Sequence, residues 1–274
     1  MIHFLSFVWD PPTGINLGFF TIQYYSLMFV IAFALGWWIM KKIYIRENIP
    51  LEKLDTIFIY TVFATLIGAR LGHVFFYDWA YYKDHLLEII LPFRVSPYFE
   101  FTGFRGLASH GAAIGIIIAM YYYSKKVIQK PLLWVLDRIV LPVSCGGIFI
   151  RIGNFFNSEI YGKPTTSELG VIFAANGENF ARYPTQLIES FCYLIVFLIL
   201  MWVYWKTEKR LKQGYMFGLF LVLLWSVRFV VEFWKENQVE FENTMSLNMG
   251  QILSIPFILF GLYLLFRPKK QTIS

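Results

Sequence analysis

The stretch RIGNFFNSEIYG, Arg151–Gly162, gathers an arginine, two asparagines, a carboxylate and two glycines among large aromatics. It follows directly on the apolar run Pro131–Ile150, so Arg151, Asn154, Asn157 and Glu159 enter where a membrane span meets water. Guanidinium forks bind phosphate oxygens bidentately, and asparagine amides donate hydrogen bonds. A second arginine, Arg228, has Glu232 four residues on, which puts the two on one helical face. Two arginines at a headgroup-level pocket suit a phosphate. Their field can stabilise phosphate as a leaving group and lower the pKa of an incoming thiol. His110 is the histidine placed to take such a thiol's proton near neutral pH.

Composition says what must position these residues. The chain has 274 residues, 57% hydrophobic, 20% aromatic and only 15% charged, with a mean hydropathy of +0.55. That is a polytopic membrane protein, because Trp and Tyr settle at both interfaces and charges are expensive between them. An all-α fold of seven transmembrane helices is expected, since a helix needs roughly 20 apolar residues to cross the hydrocarbon core. The segments are Leu17–Met40, Leu54–Tyr77, Gly106–Ser124, Pro131–Ile150, Thr185–Trp205, Tyr215–Phe233 and Met249–Phe266. They form a single integral-membrane domain over 1–274, with no soluble domain or internal repeat. The N-terminal MIHFLSFVWDPP has no basic region or small-residue cleavage pattern and reads as a lead-in, not a cleaved signal.

Fourteen basic residues after spans one, three, five and seven oppose seven on the other side, including Arg105. By the positive-inside rule the N-terminus lies outside and the C-terminus in the cytoplasm. Loops 78–105 and 151–184 then face outward, and HLLEIILPF in the first reads as a short interfacial helix. The net charge of +6 is therefore a loop property and no footprint of nucleic acid. Cys145 and Cys192 sit in apolar runs and read as buried thiols.

With the orientation set, polar groups from six spans fall at one depth. His110 lies about one turn inside span three, and Arg70 and Tyr25 about two turns into spans two and one. Gln186 and Glu189 occupy the first turns of span five, Arg151 ends span four, and Arg228 with Glu232 sits in the outer third of span six. Packing readings stand beside the functional ones. Arg70 lies between Gly68 and Gly72, a small-xxx-small pair that Gly111 and Gly115 repeat. Arg228 with Glu232 can be a self-neutralising pair, and His110 a satisfied core histidine. Asp137 and Arg138, in the inner half of span four, read as packing or pairing residues. Metal chemistry has no support, with no HExxH and no clustered His/Cys ligands, and a serine protease lacks G-x-S-x-G.

Six motifs in order carry a family resemblance: GARLGHVFFY at 68–77, ASHGAAIG at 108–115, RIGNFFNSEIYG, RYPTQLIES at 182–190, VRFVVEFW at 227–234 and MGQILSIP at 249–256. Together they resemble the bacterial prolipoprotein diacylglyceryl transferases over nearly the whole chain. The resemblance implies transfer of the diacylglyceryl group of phosphatidylglycerol to the lipobox cysteine thiol of a preprolipoprotein signal peptide. The products are a thioether-linked lipid and glycerol phosphate. It implies no metal or organic cofactor, and a location in the bacterial inner membrane bilayer with the site toward the outer leaflet.

By motif, Arg151 and Asn154 match the family's signature pair, with Asn157, Glu159 and Gly162 completing the block. Arg228, Glu232, His110 and Tyr25 match its span-six arginine, the following acid, its histidine and its first-span tyrosine, and Arg70 joins them as a binding candidate. On this resemblance Arg151 and Arg228 hold the phosphate, while Tyr25, Asn154 and Glu159 position headgroup or loops. His110 is either the thiol's base or an orienter of an arginine. Ala112 departs from a second glycine after His110, and Tyr183 stands where many members carry histidine. The rival from another class is a transporter or channel for an anionic lipid or metabolite. It would bind with the same arginines, but alternating access usually sets the site near the midplane between repeats, whereas these polar groups gather near one face. Another lipid-modifying enzyme is the rival within the class.

Overall fold

Long apolar helices dominate the computed structural model, which describes residues 7–18, 21–91, 93–94, 98–101, 106, 108–236 and 245–268. Arg105, Lys269 and Lys270, three of the loop cations, lie outside the described residues. The helices in chain order are α1 (Tyr24–Arg46), α2 (Leu51–Phe76), α3 (Trp79–Tyr82), α4 (Leu87–Ile90), α5 (Ser109–Tyr122), α6 (Leu132–Phe156), α7 (Thr185–Lys206), α8 (Tyr215–Val231) and α9 (Met249–Phe266). Five of them, α1, α2, α6, α7 and α9, are long and apolar enough to cross a membrane. The apolar α8 has 17 residues. The 14-residue α5 runs on as a π-helical segment, Tyr123–Ile128.

Among the described residues, three two-stranded sheets of two or three residues per strand accompany the helices: β1 (Phe7–Trp9) parallel to β6 (Val171–Phe173), β2 (Gly14–Asn16) with β3 (Thr21–Gln23), and β4 (Phe93–Arg94) with β5 (Glu100–Phe101). Phe63, Leu66, Phe191, Leu198, Trp202 and Leu259 are each more than half exposed on their helices. Apolar patches of that kind need an apolar solvent, and acyl chains supply it.

The chain divides into two compact units, Ile43–Val135 and Met1–Lys42 with Leu136–Ser274. In the first, α2 and α5 touch backbone to backbone: a Cβ on Gly111 would lie 2.1 Å from the Gly68 carbonyl oxygen, and one on Gly115 2.5 Å from that of Ala64. The glycines act as small packing residues, as their spacing indicates. In the second unit α8 and α9 meet the same way at Gly218 and Gly261. The Asp137 carboxylate of α6 accepts from the backbone N–H of Gly214 (2.6 Å) and Phe217 (2.9 Å). It therefore caps the start of α8 from a neighbouring helix, a pairing role. A capping box between Asn248 and Gln251 starts α9.

Helix α6 continues past Ile150, where the hydropathy drops, to Phe156. Gly153-Asn154 does not break it, and the helix stops only before Asn157–Ser158, where Ser158 takes left-handed backbone. Arg151 and Asn154 are thus held on a rigid helix.

Candidate functional site

Arg151 and Asn154 lie one turn apart on the last two turns of α6, and the chain beyond folds back to them. Arg151 Nη1 donates to Asn154 Oδ1 (3.0 Å), and Asn154 Nδ2 donates to Glu159 Oε1 (2.8 Å). The more exposed Asn157 reaches the same carboxylate oxygen at 3.4 Å. Four of the expected residues are therefore one connected set. Tyr25, in the first turn of α1, packs its ring on Gly153, where a Cβ would come within 2.7 Å of the ring. Its hydroxyl faces Asn154, with Glu159 and Arg151 near enough to act on it electrostatically.

The turn carrying Glu159 is strained. Ser158 (φ 51°) and Ile160 (φ 57°) both take left-handed backbone, a genuine outlier for a β-branched residue. Such a turn persists only when its surroundings over-determine it. Here three consecutive carbonyls accept side-chain hydrogen bonds: Ser158 from Asn176 Nδ2 (2.8 Å), Glu159 from Gln186 Nε2 (2.7 Å) and Ile160 from Thr185 Oγ1 (3.2 Å). Gln186 and Thr185 are fully buried at the start of α7. The TQ of RYPTQLIES thus serves the RIGNFFN block by clamping its turn.

Beside this set runs a chain of alternating charges. Arg151 Nε lies 2.7 Å from Glu189 Oε2, close enough for an ion pair although off the angle of a hydrogen bond. Glu189 Oε1 accepts from Lys235 Nζ (3.2 Å), which also donates to Glu232 Oε1 (3.1 Å). Glu232 Oε1 in turn lies 3.5 Å from Arg228 Nη2. The interior members are sealed, with Glu189 0% and Lys235 2% exposed, whereas the terminal arginines keep 12% and 25%. Buried carboxylates survive only when paired, and Glu232 has further support. Asn248 Nδ2 donates to its Oε2 (3.2 Å), and Gly250 at the start of α9 leaves room where a Cβ would stand 2.6 Å from the carboxyl carbon. Arg228 lies over the Trp225 ring at 5.5 Å, and its Nε is buried with no hydrogen-bond partner among the described residues.

Around this core the loops are tied down. Gly162 has no room for a Cβ, which would meet the Trp234 and Tyr183 carbonyl oxygens at 2.7 and 2.8 Å, and it forms an antiparallel bridge with Lys235. Arg182 donates to both oxygens of Glu178 (2.6 and 2.8 Å) and to Glu236 (2.8 Å) and lies over the Tyr161 ring at 4.6 Å. Burial pulls the Arg182 pKa down, but Glu178 and Glu236 together outweigh it and leave the guanidinium above its ordinary value. For Lys235 the balance runs the other way. Burial is the largest influence, Arg151 and Arg228 repel the ammonium, and even with Glu189 and Glu232 beside it the pKa falls below that of free lysine.

Arg70 and His110 belong to the other compact unit. Arg70 is buried, donates to the Ile89 (3.1 Å) and Glu88 (2.5 Å) carbonyls and stacks over Tyr82, so its guanidinium holds the loop after α2. His110, the second residue of α5, is exposed. Lys235 and Arg182 went unmarked in the sequence as site residues because they read as loop cations. Only the Glu232-x-x-Lys235 spacing, a helical i,i+3 pair, hinted at a partner.

A family model described as prolipoprotein diacylglyceryl transferase matches residues 12–267. The chain is 42% identical over 265 residues to a Bacteroides fragilis protein named phosphatidylglycerol–prolipoprotein diacylglyceryl transferase, covering 96% of this chain and 95% of that one. Proteins of the same name from Chloroherpeton thalassium and Porphyromonas gingivalis are 40% and 39% identical, over 96% and 99% of this chain and 94% and 97% of theirs.

Proposed function

Because the chain belongs to the prolipoprotein diacylglyceryl transferase family, we propose that it moves the diacylglyceryl group of phosphatidylglycerol to a preprolipoprotein. The acceptor is the lipobox cysteine thiol. Its sulfur attacks the glyceryl carbon, a C–S bond forms, the carbon–oxygen bond to phosphate breaks, and glycerol phosphate leaves with the electron pair. Negative charge grows on the leaving phosphate, and arginines fixed beforehand stabilise that growth without reorganising. Arg151 and Arg228 fill this role. Asn154, Asn157, Glu159 and Tyr25 position the headgroup and the turn, Glu232 positions Arg228, and Gly162 admits close backbone approach. His110 takes the thiol proton, and Arg70 holds the outward loop.

The observation that carries this reading is the end-to-end placement of the two arginines on one buried charge chain, with Arg228 Nε left without a hydrogen-bond partner among the described residues. A buried donor without an acceptor costs about 1–3 kcal/mol, and a phosphate oxygen removes that cost. The reading includes seven spans over a single domain, the five long helices together with α5 and α8. The N-terminus and loops 78–105 and 151–184 lie outside the bacterial inner membrane and the C-terminus lies in the cytoplasm, with the site at the outer leaflet. The hydropathy of the five long helices and of α8, and the loop charges, support it.

Purified protein given phosphatidylglycerol and a lipobox peptide should add a diacylglyceryl mass to the peptide and release glycerol phosphate. Arg151→Ala and Arg228→Ala should each lose the transfer by at least about 100-fold. Folded protein that binds the lipid but never modifies the peptide would make a transporter of anionic lipid the better reading.

A further inference from the structure

We propose that Lys235 is a positioning residue for this transfer. It bridges Glu189 and Glu232 so that Arg151 and Arg228 are held as the two ends of one ion chain. The inference rests on the function proposed above and concerns how its two arginines are kept ready.

Three cations alternate with two carboxylates along the chain, which leaves one surplus positive charge for a phosphodiester that carries one negative charge. Both ends are cations and both are more exposed than the interior, so the surplus is presented where a ligand can reach it. Remove the central ammonium and the balance changes. Glu189 and Glu232 would then each have one arginine as principal counter-ion, and each arginine would be drawn inward to neutralise its carboxylate. No positive charge would remain for the phosphate. Lys235 is suited to the centre because its backbone is fixed: it bridges Gly162, and the Trp234 carbonyl beside it accepts from Lys163 N at 2.8 Å.

A lysine here, unlike an arginine, can lose its charge. The groups that bear on it are Glu189 from α7, Arg151 from α6, and Glu232 and Arg228 from the end of α8. Tyr193 of α7 stands at the Arg151–Glu189 end, and Asn248 before α9 holds Glu232. Because burial already depresses the Lys235 pKa, rising pH discharges the ammonium sooner than in free lysine. The chain then falls to zero net charge and transfer declines. Folding responds in the opposite sense. Between the depressed native pKa and the unfolded one the unfolded chain holds the extra proton, so the contribution of Lys235 to stability rises with pH. Activity and thermal stability therefore separate along the alkaline limb.

The test is the pH–rate profile for transfer to a lipobox peptide, taken from neutral to alkaline pH for the native protein, Lys235→Arg and Lys235→Met. Size exclusion and thermal melts in detergent confirm folding. Lys235→Arg should keep transfer and move the alkaline limb to higher pH. Lys235→Met should fall about 100-fold in kcat/KM, with a raised KM for phosphatidylglycerol, because a small displacement of a positioned group costs that much. An unmoved limb in Lys235→Arg, or a folded Lys235→Met with native kinetics, overturns the proposal. If Lys235→Met does not fold, the limb of Lys235→Arg decides alone. Native protein that transfers nothing would instead remove the transferase reading on which the proposal stands.

Discussion

Glu189 is the residue on which both arms of the site depend. Its side chain is wholly buried and meets Arg151 with one oxygen and Lys235 with the other. Removing one partner of a buried pair costs about 3–5 kcal/mol, because the other charge is left uncompensated. Glu189→Ala should therefore lower the melting temperature and abolish transfer together, whereas Arg228→Ala, at the more exposed end, should lose activity with little loss of stability. Equal losses of stability in the two variants would contradict the gradient of burial along the chain. Ser158 gives a prediction of opposite sign. It holds φ 51° with a buried hydroxyl that finds no partner among the described residues, so Ser158→Gly relieves both and should stabilise the protein by about 1 kcal/mol. A melt that falls on this substitution would show that the strained turn is held by something other than its three clamped carbonyls. At this scale the sequence was informative where residues are close in the chain: Arg151, Asn154 and Glu159 could be grouped from one motif. Lys235 could not, since its partner Glu189 is 46 residues away and only the folded chain joins them.

Elements set the distances that those side chains exploit. The end of α6 could not be read from hydropathy, because helix propensity and tertiary support continue after the apolar run stops. As a result Arg151 and Asn154 share a rigid helical face. Glycine spacing was more legible, since Gly68, Gly72, Gly111 and Gly115 announce close helix packing and the structure provides it. The contact is unforgiving because the atoms facing Gly111 are backbone: a Cβ there would stand 2.1 Å from the Gly68 carbonyl oxygen and 2.6 Å from the Gly72 Cα. Side chains can repack around an intruding methyl, but a carbonyl in a helix cannot. Gly111→Val should cost at least the upper part of the usual overpacking range, about 1–3 kcal/mol. Ala113→Val, two residues on and exposed, should be close to neutral. Thermal melts of the two variants in detergent compare them directly, and equal melting temperatures would mean that α2 and α5 can part without cost.

At the scale of the whole molecule, function depends on which loops meet which solution. Loops after α1, α7 and the π-helical end of α5 are rich in lysine and arginine, and loop 151–184 carries the strained turn and the Arg182 clasp. The proposed phosphate site, at the ends of α6 and α8 and the start of α7, is useful to an exported lipobox only if those ends face outward. Composition made the membrane plain, while the direction rests on a count of charges, fourteen against seven. Labelling can decide it. The chain has two cysteines, Cys145 and Cys192, so a cysteine-free background with Glu168→Cys in loop 151–184 or Lys209→Cys in the basic loop after α7 gives a single reporter; both positions are exposed. In right-side-out vesicles a charged maleimide should modify Glu168→Cys at once and Lys209→Cys only after lysis. The reverse pattern would put the Arg151–Arg228 site on the cytoplasmic face, where the thiol of an exported lipobox could not reach it.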